Sequence, residues 1–253
     1  MKLLVDIGNS RIKWGIWKNG ALDHCGAFTR PDAANIPAGA EAAWGRMPPP
    51  RNIITANVAG ETIAAALTAW MQSHWNITPH FIQAQARAGG VTNAYEEPGK
   101  LGVDRWAALV ATRRRYQQAA CIVNAGTAIT IDAMDENGHH LGGLIVPGVQ
   151  LMRSSLLEKT ADISARAQGQ TVKQGTLLAR STQAAVQGGT LYSAVALIDR
   201  IAQNLATQLG PNMARLISGG DAASLHPLLT PGFEHRPHLV LEGLAILGES
   251  PCD

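Results

Sequence analysis

The sequence predicts an α/β protein made of two similar halves. Three observations carry that expectation. Short apolar or alternating runs, the mark of strands, are interleaved with longer runs of helical period. A unit of strand, glycine turn and alternating strand opens the chain and returns in its second half. The two copies keep a constant spacing, with Asp6, Gly8 and Ser10 matched by Asn124, Gly126 and Ala128, each 118 residues on. The echo includes the strand before each turn, the alternating strand after it and a closing Asn-Gly turn. It reads as an internal duplication with a boundary near residue 118, dividing the chain into domains 1–117 and 118–253.

In the first half, Leu3-Leu4-Val5 is a strand that ends at Asp6-Ile7-Gly8-Asn9-Ser10. Ile12, Trp14 and Ile16 then alternate with polar or small residues, and Lys18-Asn19-Gly20 reads as a turn. Trp14 and Trp17 are expected to pack a sheet face. Residues 47–50 form a proline-rich loop, 52–57 a strand and 61–75 an alanine-rich helix. Residues 89–102 read as a loop whose sharpest break is Pro98-Gly99. Asp104 is expected at the N-cap of a further helix, which carries Trp106, Leu109 and Val110 on one face.

In the second half, residues 120–123 are a strand ending at Asn124-Ala125-Gly126-Thr127-Ala128. Ile129, Ile131 and Ala133 alternate as Ile12 to Ile16 do, and Glu136-Asn137-Gly138 closes the unit with a turn. His139-His140 beside that turn reads as a solvent-exposed pair. A strand at 141–146, a turn at Pro147-Gly148 and a helix at 149–157 follow. Then come a polar loop at 166–175, a helical stretch over about 177–209, and a strand at 214–218 that ends at Gly219-Gly220-Asp221. Residues 237–241 read as one more strand, before a last helix through Leu244 and Ile246.

Composition narrows the class. With 253 residues, 46% apolar and 16% charged, the chain can bury a real core and is expected to be globular. A formal charge of +2 implies neither a nucleic-acid nor a membrane partner. The one tight basic run, Arg113-Arg114-Arg115, falls on the helix after Asp104 and reads as a solvated face. Cys25, Cys121 and Cys252 are far apart and have no partner at metal-ligand spacing, so no disulfide framework or structural zinc is expected. Cys121 reads as a small core residue. The chain runs from Met1-Lys2 straight into a strand, and no apolar stretch matches a signal sequence or membrane span. A cytoplasmic location is the expectation.

The two turns carry the chemistry. Binding phosphate requires backbone N–H groups to approach the anion with no side chain between them, which Gly8 and Gly126 permit. Asn9, Ser10 and Thr127 add side-chain donors. Asp6, at a strand end, can hold a hydrated Mg2+ bridging the phosphates. The same residue types also favour hairpin turns for local reasons alone; it is the pairing of two related turns that favours phosphate. No Gly-x-x-x-x-Gly-Lys-Ser/Thr occurs, and no Gly-x-Gly-x-x-Gly opens a helix after a strand. Here the glycines lead into strands, the arrangement of the actin/hexokinase-like superfamily. A duplicated actin/ribonuclease H-like fold is therefore expected, with its two domains around a nucleotide cleft.

The chain resembles the type III pantothenate kinases over nearly its whole length. Asp6-Ile7-Gly8-Asn9-Ser10-Arg11-Ile12-Lys13 looks like their first phosphate motif. Asn93 to Pro98, with Leu101-Gly102-Val103-Asp104-Arg105, resembles their pantothenate and catalytic segment. Ala125-Gly126-Thr127-Ala128-Ile129-Thr130-Ile131-Asp132 is similar to the second phosphate motif. Gly142 to Gly148, Ser181-Thr182-Gln183, Ser218 to Asp221 and Leu239 to Leu244 follow in the family's order. The resemblance implies ATP-dependent phosphorylation of pantothenate, the first step of coenzyme A synthesis, by a cytoplasmic homodimer. It implies ATP contacts from Asp6 through Lys13 and from Thr127. It implies pantothenate contacts from Tyr95, Gly102, Val103, Asp104, Arg105 and Thr182, with Asp104 as general base.

Read without the resemblance, Asp104 serves equally as a helix cap, Arg105 as half of a surface ion pair, Tyr95 as a loop anchor and Thr182 as a helix residue. Asp132 either helps to position metal or phosphates or makes a buried structural hydrogen bond. The chain departs from the family at Asn124, where the family has an aspartate associated with potassium or ammonium. An amide offers an oxygen but no charge, so weaker cation affinity is implied. Two other readings keep the fold: a nucleotide-dependent transcription accessory factor, and a different small-molecule kinase of the superfamily.

Overall fold

The computed structural model describes residues 1–160, 163 and 178–249. The polar loop expected at 166–175 and Cys252 lie outside the described residues.

The opening strands are β1 (Lys2–Ile7), β2 (Arg11–Lys18) and β3 (Ala21–Thr29). The turn between β2 and β3 places Asn19 at φ 53° and Gly20 at φ 79°, the pair of positive values that a tight hairpin turn needs. Next come α1 (Ile36–Trp44), β4 (Asn52–Asn57), α2 (Glu61–Trp75), β5 (His80–Phe81), β6 (Arg87–Ala88), β7 (Val91–Thr92) and α3 (Val103–Arg115). Strands β3 and β5 to β7 and helix α1 carry no strong local signal in the sequence.

The second run is β8 (Ala120–Ala125), β9 (Ala128–Met134), β10 (His140–Pro147), α4 (Val149–Lys159), α5 (Thr182–Leu209), β11 (Ala214–Ser218), α6 (Ala222–Leu225), β12 (Phe233–His235) and α7 (Leu239–Leu247). Residues 239–241 are therefore helix, and the last strand lies earlier, at 233–235. A short apolar run suits a strand or a buried helix equally. Helix wins here because Leu239, Val240, Leu241, Leu244 and Ala245 are all buried by packing that no local pattern records.

The duplication is visible in the sheets. One has the order β3-β2-β1-β4-β5 and the other β10-β9-β8-β11-β12. In each, the leading strand pairs antiparallel with its successor (β1 with β2, β8 with β9) and parallel with the strand after a crossover (β4, β11). The constant spacing breaks just beyond the turn. Ile7 pairs with Ile12 but Ala125 with Ile129, so the second turn is one residue shorter. Ala128 thus stands at the register position of Arg11, not of Ser10.

By contact the chain forms two compact units. One comprises residues 1–117, 138–141 and the segment from His238, and the other residues 118–137 and 142–237. The C-terminal helix and the tip of the β9–β10 hairpin therefore pack with the first unit, although both lie in the second half of the sequence.

Strand alternation sorts the faces of each sheet. Leu3, Val5, Ile7, Ile12 and Trp14 join Trp44, Leu67, Trp70 and Met71 of α1 and α2 in one core. Leu4 and Asp6 point to the opposite face, where α3 and α7 pack. In the second unit Cys121, Val123, Ala125, Ile129 and Ile131 pack with Ile198 and Ala202 of α5. Burial there pushes the Cys121 thiol up to about 12, as suits an inert core residue.

Candidate active site

The first turn is held by its own backbone and by one arginine. The Gly8 N–H donates to the Arg11 carbonyl at 3.0 Å, and a Cβ on Gly8 would stand 3.0 Å from the same oxygen. Arg30, just after β3, donates its Nε to the Asn9 carbonyl at 2.7 Å and its backbone N–H to the Ser10 carbonyl at 2.9 Å. Both carbonyl oxygens are thereby engaged by a cationic residue. Asn9, Ser10 and Arg11 are exposed at the tip, Lys13 is half-buried, and Ile7 and Ile12 are fully buried, so only the backbone of those two can meet a ligand. Arg30 had no signal in sequence: it reaches the turn only because Thr29 pairs with Arg11 across the sheet.

Asp6 ends β1 on the α3 face and is 7% exposed. Its carboxyl is pushed up to about 7, chiefly by burial and further by the charge of Asp104, while Lys13 opposes the shift. Lys13 sits opposite Asp6 in the register, where cross-strand neighbours share a face.

Asp104 is not the cap of α3. Gly102 holds that position, its carbonyl accepting from the Trp106 N–H at 2.9 Å, and no side chain caps the helix. Asp104 lies in the first turn, where the helix dipole favours its negative charge. A Cβ on Gly102 would stand 2.7 Å from Asp104 Oδ1, so glycine there leaves the carboxylate its space. Val103 is buried. Trp106 and Leu109, fully buried, anchor the helix.

Arg105 is 4% exposed, which removes the surface ion-pair reading. Its Nη1 donates to the Tyr95 hydroxyl at 2.9 Å, and its guanidinium carbon lies 5.7 Å from that ring's centroid. The loop carrying Tyr95 is braced by Asn93. Its Oδ1 accepts from the Tyr95 N–H at 3.0 Å and its Nδ2 donates to the Pro98 carbonyl at 3.2 Å. The histidine pair divides: His139 is exposed, but His140 is 3% exposed, because it begins β10 and faces Tyr95.

In the second unit the turn is clamped between two glycine segments. The Gly148 N–H donates to the Thr127 carbonyl at 2.9 Å, and a Cβ on Gly148 would stand 2.0 Å from the Gly126 oxygen. Gly219, at φ 102°, would put a Cβ 2.1 Å from the Ala125 oxygen, to which the Asp221 N–H donates at 3.0 Å. Gly126 has no such neighbour: its Cβ would come no closer than 3.8 Å to Ala128 O. A side chain is thus excluded beneath the turn, whereas space is open at Gly126 itself. Thr127 is exposed, Asn124 half-buried and Asp132 buried on β9. Thr182 opens α5, in the wall of a largely apolar cavity of about 870 Å3 between α4 and α5.

Among the described residues, no group of three or more His, Cys, Asp or Glu side chains could hold a metal. Magnesium in nucleotide sites asks less, one or two carboxylates with phosphate and water completing its shell. Asp6 fits that demand, since a cation beside it would offset both its burial and its repulsion from Asp104. No described helix is long and apolar enough to cross a membrane.

The sequence profile of a family described as type III pantothenate kinase matches residues 2–204. A type III pantothenate kinase from Nitrosococcus oceani is 43% identical over 250 residues, 97% of this chain and 92% of that protein. Among solved structures, a conserved protein from Campylobacter jejuni assigned to the Baf family of transcriptional activators is similar at TM-score 0.59 and 23% identity, covering 97% of this chain and 96% of its own. A 2-dehydro-3-deoxygalactonokinase candidate from Sinorhizobium meliloti gives 0.59 at 15% identity, covering 98% of each chain. At these identities the two structures speak for the fold alone, a duplicated α/β fold like the one expected from the sequence.

Proposed function

The chain belongs to the type III pantothenate kinase family, and from that premise we propose how its residues divide the work of phosphorylating pantothenate. The reaction moves the γ-phosphoryl group of ATP to the pantothenate hydroxyl, giving 4′-phosphopantothenate, the first step of coenzyme A biosynthesis. Residues Asp6 through Lys13 and Thr127 bind the nucleotide, through turn N–H groups and hydroxyls with Lys13 adding positive charge. Asp6 orients magnesium, carried in on the phosphates, through water. Bound there, the ion would supply positive charge to offset that of the transferring group.

Asp104 accepts the proton of the attacking hydroxyl as the new P–O bond forms. In the first turn of α3 its negative charge meets the positive end of the helix dipole, and Gly102 leaves it room. Tyr95, Arg105, Thr182 and the backbone of Gly102 and Val103 hold pantothenate. What supports this reading is that the charge of Asp104 acts on the buried carboxyl of Asp6, at the strand end that leads into the first turn. A nucleotide-dependent regulator would have no use for a general base.

Asn124 offers an uncharged oxygen to potassium or ammonium, so monovalent-cation dependence is weak. The active form is a cytoplasmic homodimer, to be checked by its mass in solution. The decisive experiment incubates purified protein with Mg-ATP and a panel of hydroxy acids and sugars. Phosphate transfer to pantothenate above all others is expected. Transfer to another acceptor with pantothenate inert would overturn the assignment.

A further inference from the structure

We infer that His140 is a positioning residue for pantothenate, acting through Tyr95. The inference rests on the reading of Tyr95 as a pantothenate contact. Tyr95 lies in a loop, and a loop side chain that orients a substrate must be fixed by its surroundings. Two groups fix it here. Arg105 donates to its hydroxyl at 2.9 Å, and the His140 ring lies nearly parallel to its ring, at a centroid distance of 6.1 Å and an interplanar angle of 14°. That offset, nearly parallel geometry is favoured for aromatic pairs.

His140 is suited to act as the fixed member. It is 3% exposed and is the first residue of β10, whereas Tyr95 is half-buried and outside any strand or helix. The backbone also ties the histidine to the substrate loop. The Thr92 N–H donates to the Gly138 carbonyl at 2.9 Å, and Thr92 forms a parallel bridge with His139. Gly138, at φ 84°, approaches so closely that a Cβ would lie 2.2 Å from the Gly90 oxygen. Residues on both sides of Tyr95's loop start and of His140 are thus in register before the rings meet.

The stack has a chemical consequence for the hydroxyl. Because Arg105 donates to the Tyr95 oxygen, the phenol's own hydrogen points elsewhere, free to be offered to a substrate acceptor. Its direction depends on the ring plane, and His140 limits that plane. Arg105 follows Asp104 directly on α3, so the ring plane also sets the substrate's place relative to the base. Loss of the histidine ring should therefore weaken pantothenate binding while leaving the nucleotide side and the chemical step alone.

Steady-state kinetics on His140→Ala, His140→Phe and Tyr95→Ala test the inference. His140→Ala should raise KM for pantothenate roughly three- to tenfold, with kcat and KM for ATP little changed. His140→Phe, which keeps a planar ring, should recover most of that loss. The Tyr95→Ala, His140→Ala double variant should be no worse than Tyr95→Ala alone. If Tyr95→Ala raises KM for pantothenate and His140→Ala does not, the inference fails and the Tyr95 reading stands. If Tyr95→Ala leaves KM unchanged, that reading fails first and the inference with it. If His140→Ala does not fold, the Phe variant decides: pantothenate KM raised as far as in Tyr95→Ala shows that ring stacking is not what counts.

Discussion

Gly243 of α7 lies against Ala107 of α3 so closely that a Cβ at position 243 would stand 1.9 Å from the Ala107 carbonyl oxygen. The neighbour is backbone, in the middle of a buried helix, and cannot turn aside. The helix that carries Asp104 and Arg105 is therefore seated by a glycine near the end of the chain.

Gly243→Ala should accordingly cost at least about 1–3 kcal/mol of stability, the range for overpacking a closed site. It should also lower activity by displacing α3. Thermal melts and turnover measured together check this. An unchanged melting temperature would mean that the helices separate at little cost.

Asp6 predicts a pH dependence. Its carboxyl is pushed up to about 7 in the folded chain, mainly by burial, from an ordinary value near 3.8. Below that ordinary value it is protonated whether the chain is folded or not, and costs nothing. As pH rises towards 7 the unfolded chain ionises it first, so folding loses stability; above 7 the loss levels off. Asp6→Asn removes the penalty. Without nucleotide or magnesium, the variant should gain on the parent between about pH 4 and pH 7, by a few kcal/mol at most. A stability difference independent of pH would show that Asp6 is ionised throughout.

Asp104→Asn keeps the shape of the side chain and removes the base. Phosphoryl transfer should fall on the order of 100- to 10,000-fold, with the fold and most pantothenate binding intact. Because Asp104 does not cap α3, the start of the helix should survive the change. Near-normal turnover would take Asp104 out of the proton-accepting role.

Asn124→Asp restores a charge where β8 meets the second turn. Activity should then respond more strongly to added potassium or ammonium than in the parent. Titrating both proteins with potassium chloride, against a larger monovalent cation at equal ionic strength, reads the difference. Identical curves would show that this position does not govern cation response.

Much of this architecture could be read along the chain. Strands 52–57 and 214–218 and helix 61–75 were expected at the bounds they have, because alternation, alanine content and flanking turns agree there. The two turns were legible for the same local reason, whereas the N-cap expected at Asp104 falls on Gly102 instead. Other features had no local sign: α1, β3 and the helical state of residues 239–241. Residues 239–241 are held as helix by α3, far away along the chain, whereas β3 and α1 are fixed by their packing on nearer elements, β2 and α2.

Sequence alone determined the paired strand–turn–strand units and the residue types at the two turns. Those depend on backbone preferences and periodicity within a few neighbours. Tertiary structure decided which of these residues act on one another. It buried Asp6, brought Arg30 to the first turn, pressed Gly148 and Gly219 under the second, and set His140 parallel beside Tyr95. Burial, charge proximity and ring stacking all depend on distance in space, which spacing along the chain does not encode.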